Sequence, residues 1–160
     1  ERKRRAGTKN VNEISGMSVA LEKVYKDINT EKKTEDILHA YMEKRIKGEI
    51  KDSAINGENT PRIKNISNIS IKGCDIQTLL IALDLRGICI SGGSACMSGA
   101  QEPSHVLVEM GLSSEELKSS FRVSIGRYTT KEEIDYFIEN LKEIVKIERS
   151  SLTVGRWYYR

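Results

Sequence analysis

The hydrophobic periodicity of the chain predicts an α+β fold, a small sheet covered by helices. Three observations carry that prediction. Apolar residues recur at helical spacing before residue 50. The period falls toward two at residues 54–71 and again at 121–125. It returns to helical spacing after residue 130, where the clearest stripe lies. A chain of 160 residues is long enough for one domain with a real core.

The elements follow in order. Glu1 to Gly7 is charged and irregular. From Val11 to about Ile28, residues Ile14, Met17, Leu21, Val24, Tyr25 and Ile28 make one helical stripe, which Asn29 and Thr30 interrupt. A second stripe, Ile37, Leu38, Tyr41, Met42 and Ile46, ends near Gly48. Ala54 to Gly57 reads as a short strand running into a turn, and Ile66 to Ile71 as another. Gly73 breaks that strand. Asp75 to Arg86 is a compact apolar helix stopped by Gly87. Ile88-Cys89-Ile90 reads as a short buried strand entering a loop of small residues, Ser91 to Ala100. Pro103 suits the first turn of a helix ending at Gly111, and Ser113-x-x-Glu116 is a capping box for a short one. Phe121, Val123 and Ile125 alternate with Arg122 and Ser124, as in a strand with one polar face. Thr130-x-x-Glu133 then caps a helix with Ile134, Phe137, Ile138, Leu141, Ile144 and Val145 along one side. No internal repeat and no low-complexity linker interrupts this order.

Composition excludes several classes. The 12 Gly and 2 Pro follow no collagen period. No apolar run approaches the ~18 residues of a membrane span. Glu1 to Arg5 is followed by no apolar segment of the signal-peptide kind. With 26 basic and 23 acidic side chains the net charge is +3, too small to predict direct nucleic-acid binding. Cysteines stand at 74, 89 and 96 with no C-x-x-C and no Cys/His pair at zinc-finger spacing, so no metal site is expected. An odd, sparse set of thiols without a secretory signal fits a reducing cytoplasm.

Three segments carry chemistry. In Ser91-Gly-Gly-Ser-Ala-Cys-Met-Ser-Gly99, small residues leave Cys96 room to reach a substrate or swing out to a partner. Its thiolate would be a nucleophile given a nearby positive charge or helix N-terminus; on composition alone an incidental cysteine in a glycine loop is the commoner reading. Cys89, between two isoleucines, is expected in the core, and Cys74 is expected to be passive. In Ser119-Ser-Phe-Arg-Val-Ser-Ile-Gly-Arg127, Arg122 falls on the face opposite Phe121, Val123 and Ile125. An arginine so placed beside a cleft is a good carboxylate clamp, because its planar fork makes two parallel hydrogen bonds; a solvated surface arginine is the alternative. Arg127 reads as a turn or surface residue. In Arg4-Arg-Ala-Gly-Thr8, a hydroxyl and backbone N–H groups near a helix start could take a phosphate, although an exposed basic end is the simpler reading. His39 is expected half-exposed on its helix, and His105 is expected to cap or pack.

In this order the segments resemble the C-terminal part of a cysteine desulfurase. The likeness rests on Arg5-Ala-Gly-Thr8 followed by Asn10 and a helix, on Ser91 to Cys96 followed by Glu102-Pro-Ser104, and on Ser120 to Arg127 with Thr129-Thr-x-Glu-Glu133. It runs from Arg2 to about Arg149. What the resemblance implies is a pyridoxal-phosphate enzyme of the class-V aminotransferase type, and a chain corresponding to its small domain preceded by a long joining helix. Residues 1–30 would be the joining segment and helix, 31–150 the small α+β domain and 151–160 a tail of unassigned role. Family members convert L-cysteine to L-alanine and hold the sulfur as a persulfide. By position, Cys96 would be the persulfide-forming nucleophile, Arg122 the clamp on the substrate carboxylate, and Thr8 a ligand of the cofactor phosphate across a homodimer. The small-residue loop resembles the branch that passes sulfur to an iron–sulfur scaffold protein, with thiolation pathways as other acceptors. Gly92-Gly93, where many relatives carry Ser-Gly, is a minor departure. The family's Schiff-base lysine matches no lysine of this chain, so the chain alone is expected to be inactive. Two other readings remain at this level: a stand-alone sulfur carrier that accepts persulfide on Cys96 without a cofactor, and a truncated product without activity.

Overall fold

The structure, a computed structural model, describes residues 7–92 and 104–155. By internal packing the chain divides into two units, residues 1–34 and 35–160.

The first described element is α1, Val11–Glu49. Asn10 starts it, its carbonyl accepting from Ile14 N at 3.1 Å and its side chain from Glu13 N at 3.4 Å. The break expected at Asn29–Thr30 does not occur. The residues between the two apolar stripes are polar and charged, but none is Gly or Pro, and Glu and Lys among them favour helix. An apolar stripe can lapse without the backbone leaving the helix. Within the first unit, Val11, Ile14, Met17, Leu21, Val24, Tyr25 and Ile28 are all exposed.

The second unit holds the sheet. Strands β1 (Ser53–Asn56), β2 (Ile66–Ile71) and β3 (Ser120–Ser124) are antiparallel in the order β1-β2-β3. Side chains alternate across each strand. Ile55, Ile69, Ile71, Phe121 and Val123 point to one face and enter the core, with Ile125 just beyond β3. There they join Met42, Ile46 and Ile50 from the end of α1 and beyond, Leu79 and Leu83 from α2 (Ile76–Asp84), and a stripe from α5 (Lys131–Gly155) made of Ile134, Phe137, Ile138, Leu141, Ile144 and Val145. Among the described residues between α2 and β3 are two short helices, α3 (His105–Glu109) and α4 (Ser114–Lys118).

The predicted caps are present. The Ser113 side chain accepts from Glu116 N while Glu116 accepts from Ser113 N, and Thr130 and Glu133 make the same reciprocal pair. Asp75 caps α2. Gly87 closes it with a φ of 74°, and the bond from Ile88 N to Leu83 O at 3.0 Å completes a Schellman ending, in which glycine adopts the left-handed conformation without strain.

Three expectations are corrected. Ile88 to Ile90 form no strand; an isolated bridge pairs only Ser91 with Arg122. Cys89 is exposed rather than buried. Its isoleucine neighbours are half-buried, and in an extended run the residue between two inward-facing ones points out. His39, expected half-exposed, is 2% exposed. It sits on α1 four residues before Glu43, with its Nε2 2.9 Å from Ser67 Oγ and 3.2 Å from both Glu43 Oε1 and Arg62 Nη1. His105 is exposed at the first position of α3, whose N-cap is Ser104.

The group around His39 gives a pH-dependent contribution to stability. Burial raises the Glu43 pKa, but hydrogen bonds from Arg62 and Ser67, with the charges of His39 and Arg62, outweigh burial and hold it below the ordinary 4.5. A carboxyl depressed in the folded state stabilises fully above its unfolded pKa, and that contribution is lost as pH falls through the folded value. Thermal melts of the chain and of Glu43→Gln should therefore differ most near neutral pH, by about 1–2 kcal/mol, and converge as pH falls below 4.5. Parallel curves over that range would contradict the assignment.

Candidate functional site

β3 places Arg122. In the ladder its Cα partner on β2 is Asn68, whose own partner on β1 is Asn56. All three lie on the sheet face opposite Phe121, Ile69 and Ile55, as the alternation at 121–125 predicts. On its other side Arg122 exchanges two backbone bonds with Ser91, donating to Ser91 O at 2.6 Å and accepting from Ser91 N at 3.1 Å. Arg122 is half-buried. Its Nε is buried with no hydrogen-bond partner, and among the described residues no carboxylate pairs with its guanidinium. A buried donor left unmade costs about 1–3 kcal/mol. A guanidinium in this state can take an anion that the described residues do not provide.

The bridge to Ser91 ties this arginine to the root of the small-residue loop. Gly92 follows at once. A Cβ there would lie 2.8 Å from Ile76 Cγ1 and 3.2 Å from Leu80 Cδ1. Glycine is what lets the root of the loop lie against α2, so the Gly-Gly departure has a packing reason in this chain.

Cys96 lies outside the described residues. Of the other two thiols, Cys74 is buried, and burial with the neighbouring Glu148 carboxylate pushes it up to about 12. A thiol so shifted is almost entirely protonated near neutral pH and is a poor nucleophile. Cys89 lines a shallow groove with Leu80, Ile81, Asp84, Ile88 and Ile90. Thr8 is exposed, two residues before the cap of α1, and Gly7 beside it has a φ of 103°. Thr8 belongs to the first unit and Arg122 to the second. Arg127 lies in the turn after β3 with its guanidinium 5.3 Å from the centre of the Tyr128 ring. Among the described residues no group of three or more His, Cys, Asp or Glu side chains could hold a metal ion, and no helix is long and apolar enough to cross a membrane.

Sequence reasoning missed Asn56 and Asn68. Both stand at polar positions of a period-two pattern, which was the available signal. Their alignment with Arg122 depends on strand register, which the pattern leaves open.

The aminotransferase class-V family matches residues 1–137 of the chain. The chain belongs to that family. Within it, a cysteine desulfurase of Nostoc sp. is 44% identical over 146 residues, which are 91% of this chain and 36% of the relative. The cysteine desulfurase IscS of Methanosarcina thermophila is 38% identical over 162 residues, covering all of this chain and 39% of its own length. Among solved structures, a NifS-like protein from Rickettsia africae superposes with a TM-score of 0.77 at 34% identity, over 89% of this chain and 36% of that one. The chain thus spans somewhat more than a third of the length of these class-V relatives. The superposition agrees with the α+β architecture described above.

Proposed function

We propose that this chain is the C-terminal portion of a cysteine desulfurase, supplying the sulfur-accepting thiol and the substrate carboxylate clamp. Residues 1–30 are the joining segment and helix, 31–150 the small domain and 151–160 a tail. One observation carries the reading: Arg122, half-buried and without an anionic partner among the described residues, is pinned by backbone bonds to Ser91. Cys96 stands five positions after Ser91, so covalent geometry keeps its Cα within about 18 Å of the Ser91 Cα.

In this reading Arg122 binds the carboxylate of L-cysteine through its fork. Sγ of Cys96 forms a bond to the substrate sulfur as the substrate Cβ–S bond breaks. The electron pair stays on carbon, which takes up a proton and leaves as L-alanine, while the sulfur remains on Cys96 as a persulfide. The persulfide then serves an acceptor protein, an iron–sulfur scaffold or a thiolation partner, in a homodimeric cytoplasmic enzyme. A bare sulfur carrier would have no use for an unpaired carboxylate-binding arginine.

Pyridoxal phosphate would supply the electron sink for this chemistry. The described residues fit it only in part. Thr8, beside the N-terminus of α1, suits a phosphate. The described lysines do not suit a Schiff base: all are exposed except Lys142, and Lys142 is paired with Glu49 and Glu139, which raise its pKa. That supports a cofactor lysine on the remaining part of the enzyme. The exposed apolar stripe from Val11 to Ile28 supports the same view, since such a face is usually covered.

An absorbance titration tests this reading. The chain alone should show no shifted cofactor band with pyridoxal phosphate and no sulfide on adding L-cysteine. The enzyme completed with the remaining domain should show both. A cofactor band and sulfide release from the chain alone would overturn the reading.

A further inference from the structure

We propose that Asn68 is a second carboxylate-binding residue beside Arg122, with its amide N–H₂ presented to the same anion; this rests on the carboxylate-binding reading of Arg122. Two independent features of the sheet lead there.

The first is the ladder. Both backbone polar groups of Arg122 bond to Ser91, so neither is turned toward β2. Asn68 and Arg122 are therefore a non-hydrogen-bonded antiparallel pair, the closer of the two kinds, with Cα atoms about 4.5 Å apart and side chains on one face.

The second is a chain of hydrogen bonds whose direction can be worked out from one end. The Glu116 carbonyl can only accept, so Ser120 Oγ donates to it, at 2.6 Å. The Ser120 proton is thereby used, and Ser120 Oγ accepts from Asn56 Nδ2 at 3.3 Å. Asn56 Nδ2 also donates to Asn68 Oδ1, at 2.6 Å, and Ser70 Oγ donates to Asn56 Oδ1 at 3.4 Å. Each step fixes the next amide, since an amide has a distinct donor end and acceptor end. Asn68 must therefore turn its oxygen to Asn56 and leave its N–H₂ free. No acceptor for that group is found among the described residues. Asn68 and Arg122 thus stand opposite each other at one ladder position on one face, and Arg122 Nε is a buried donor with no hydrogen-bond partner. The buried Arg122 Nε is unfavourable while unpartnered, and an anion that accepts from both residues relieves it.

The test uses the completed, cofactor-loaded enzyme with two probes, L-alanine and L-alaninamide, which differ in the carboxylate. Binding is read by calorimetry. Asn68→Ala removes the donor. Asn68→Asp is isosteric, keeps the oxygen for Asn56, and places a competing anion beside Arg122. L-Alanine should bind roughly tenfold more weakly to Asn68→Ala and more weakly again to Asn68→Asp, with L-alaninamide affinity unchanged in both. Equal weakening of both probes would show Asn68 to be merely structural and overturn the proposal. Unchanged L-alanine binding in both variants, with Arg122→Lys binding it weakly, would overturn the Asn68 assignment and leave the Arg122 reading standing. Unchanged binding in Arg122→Lys as well would overturn both.

Discussion

Sulfide release from L-cysteine should be abolished by Cys96→Ser in the completed enzyme, with a loss on the order of a thousandfold or more. The cofactor should still bind with its normal absorbance, because the thiol acts only after the substrate is in place. The contrast follows from chemistry. A serine hydroxyl is far too weakly acidic to offer a nucleophilic anion near neutral pH, whereas a thiol is partly ionised. Neither of the other cysteines is placed to substitute. Cys74 is buried and pushed up to about 12. Cys89 is exposed, but it lies before the Ser91–Arg122 bridge, in the groove against α2. Normal sulfide release by Cys96→Ser, measured beside the unaltered enzyme, would remove the nucleophile assignment.

Arg122→Lys should raise the KM for L-cysteine by roughly one to two orders of magnitude, a loss of about 1.5–3 kcal/mol, with little change in cofactor affinity. Lysine keeps the charge and loses the planar fork, so it cannot meet both carboxylate oxygens in the same geometry. The backbone bonds to Ser91 do not depend on the side chain, so the root of the loop should survive the change. A steady-state comparison of KM and kcat checks it. An unchanged KM would mean that another group holds the carboxylate.

Much of this was legible in the sequence, and what was not has physical causes. The two capping boxes at Ser113 and Thr130 are local, so four residues were enough to find them. The alternation at 121–125 was likewise enough to set Arg122 apart from Phe121 and Val123. The break at Asn29–Thr30 was misread because hydrophobic periodicity reports burial, and α1 continues through a polar stretch that buries little. Cys89 was misread because an apolar triplet suggested a buried strand, while the chain there is a half-covered strip. His39 was misread because its partners, Glu43, Arg62 and Ser67, converge only in the folded unit. Asn68 escaped for the same reason, since nothing local states that β2 and β3 align it with Arg122. The cysteine loop is the reverse case. Its motif was plain in the sequence, and Cys96 lies outside the described residues.

The most direct measurement is to locate the sulfur. The completed enzyme is given L-cysteine briefly, its thiols and persulfides are capped with an alkylating agent, and its peptides are weighed. The peptide carrying Cys96 should be heavier by one sulfur atom, with those carrying Cys74 and Cys89 unchanged. Extra sulfur on Cys89, or on no cysteine of this chain while alanine accumulates, would contradict the account.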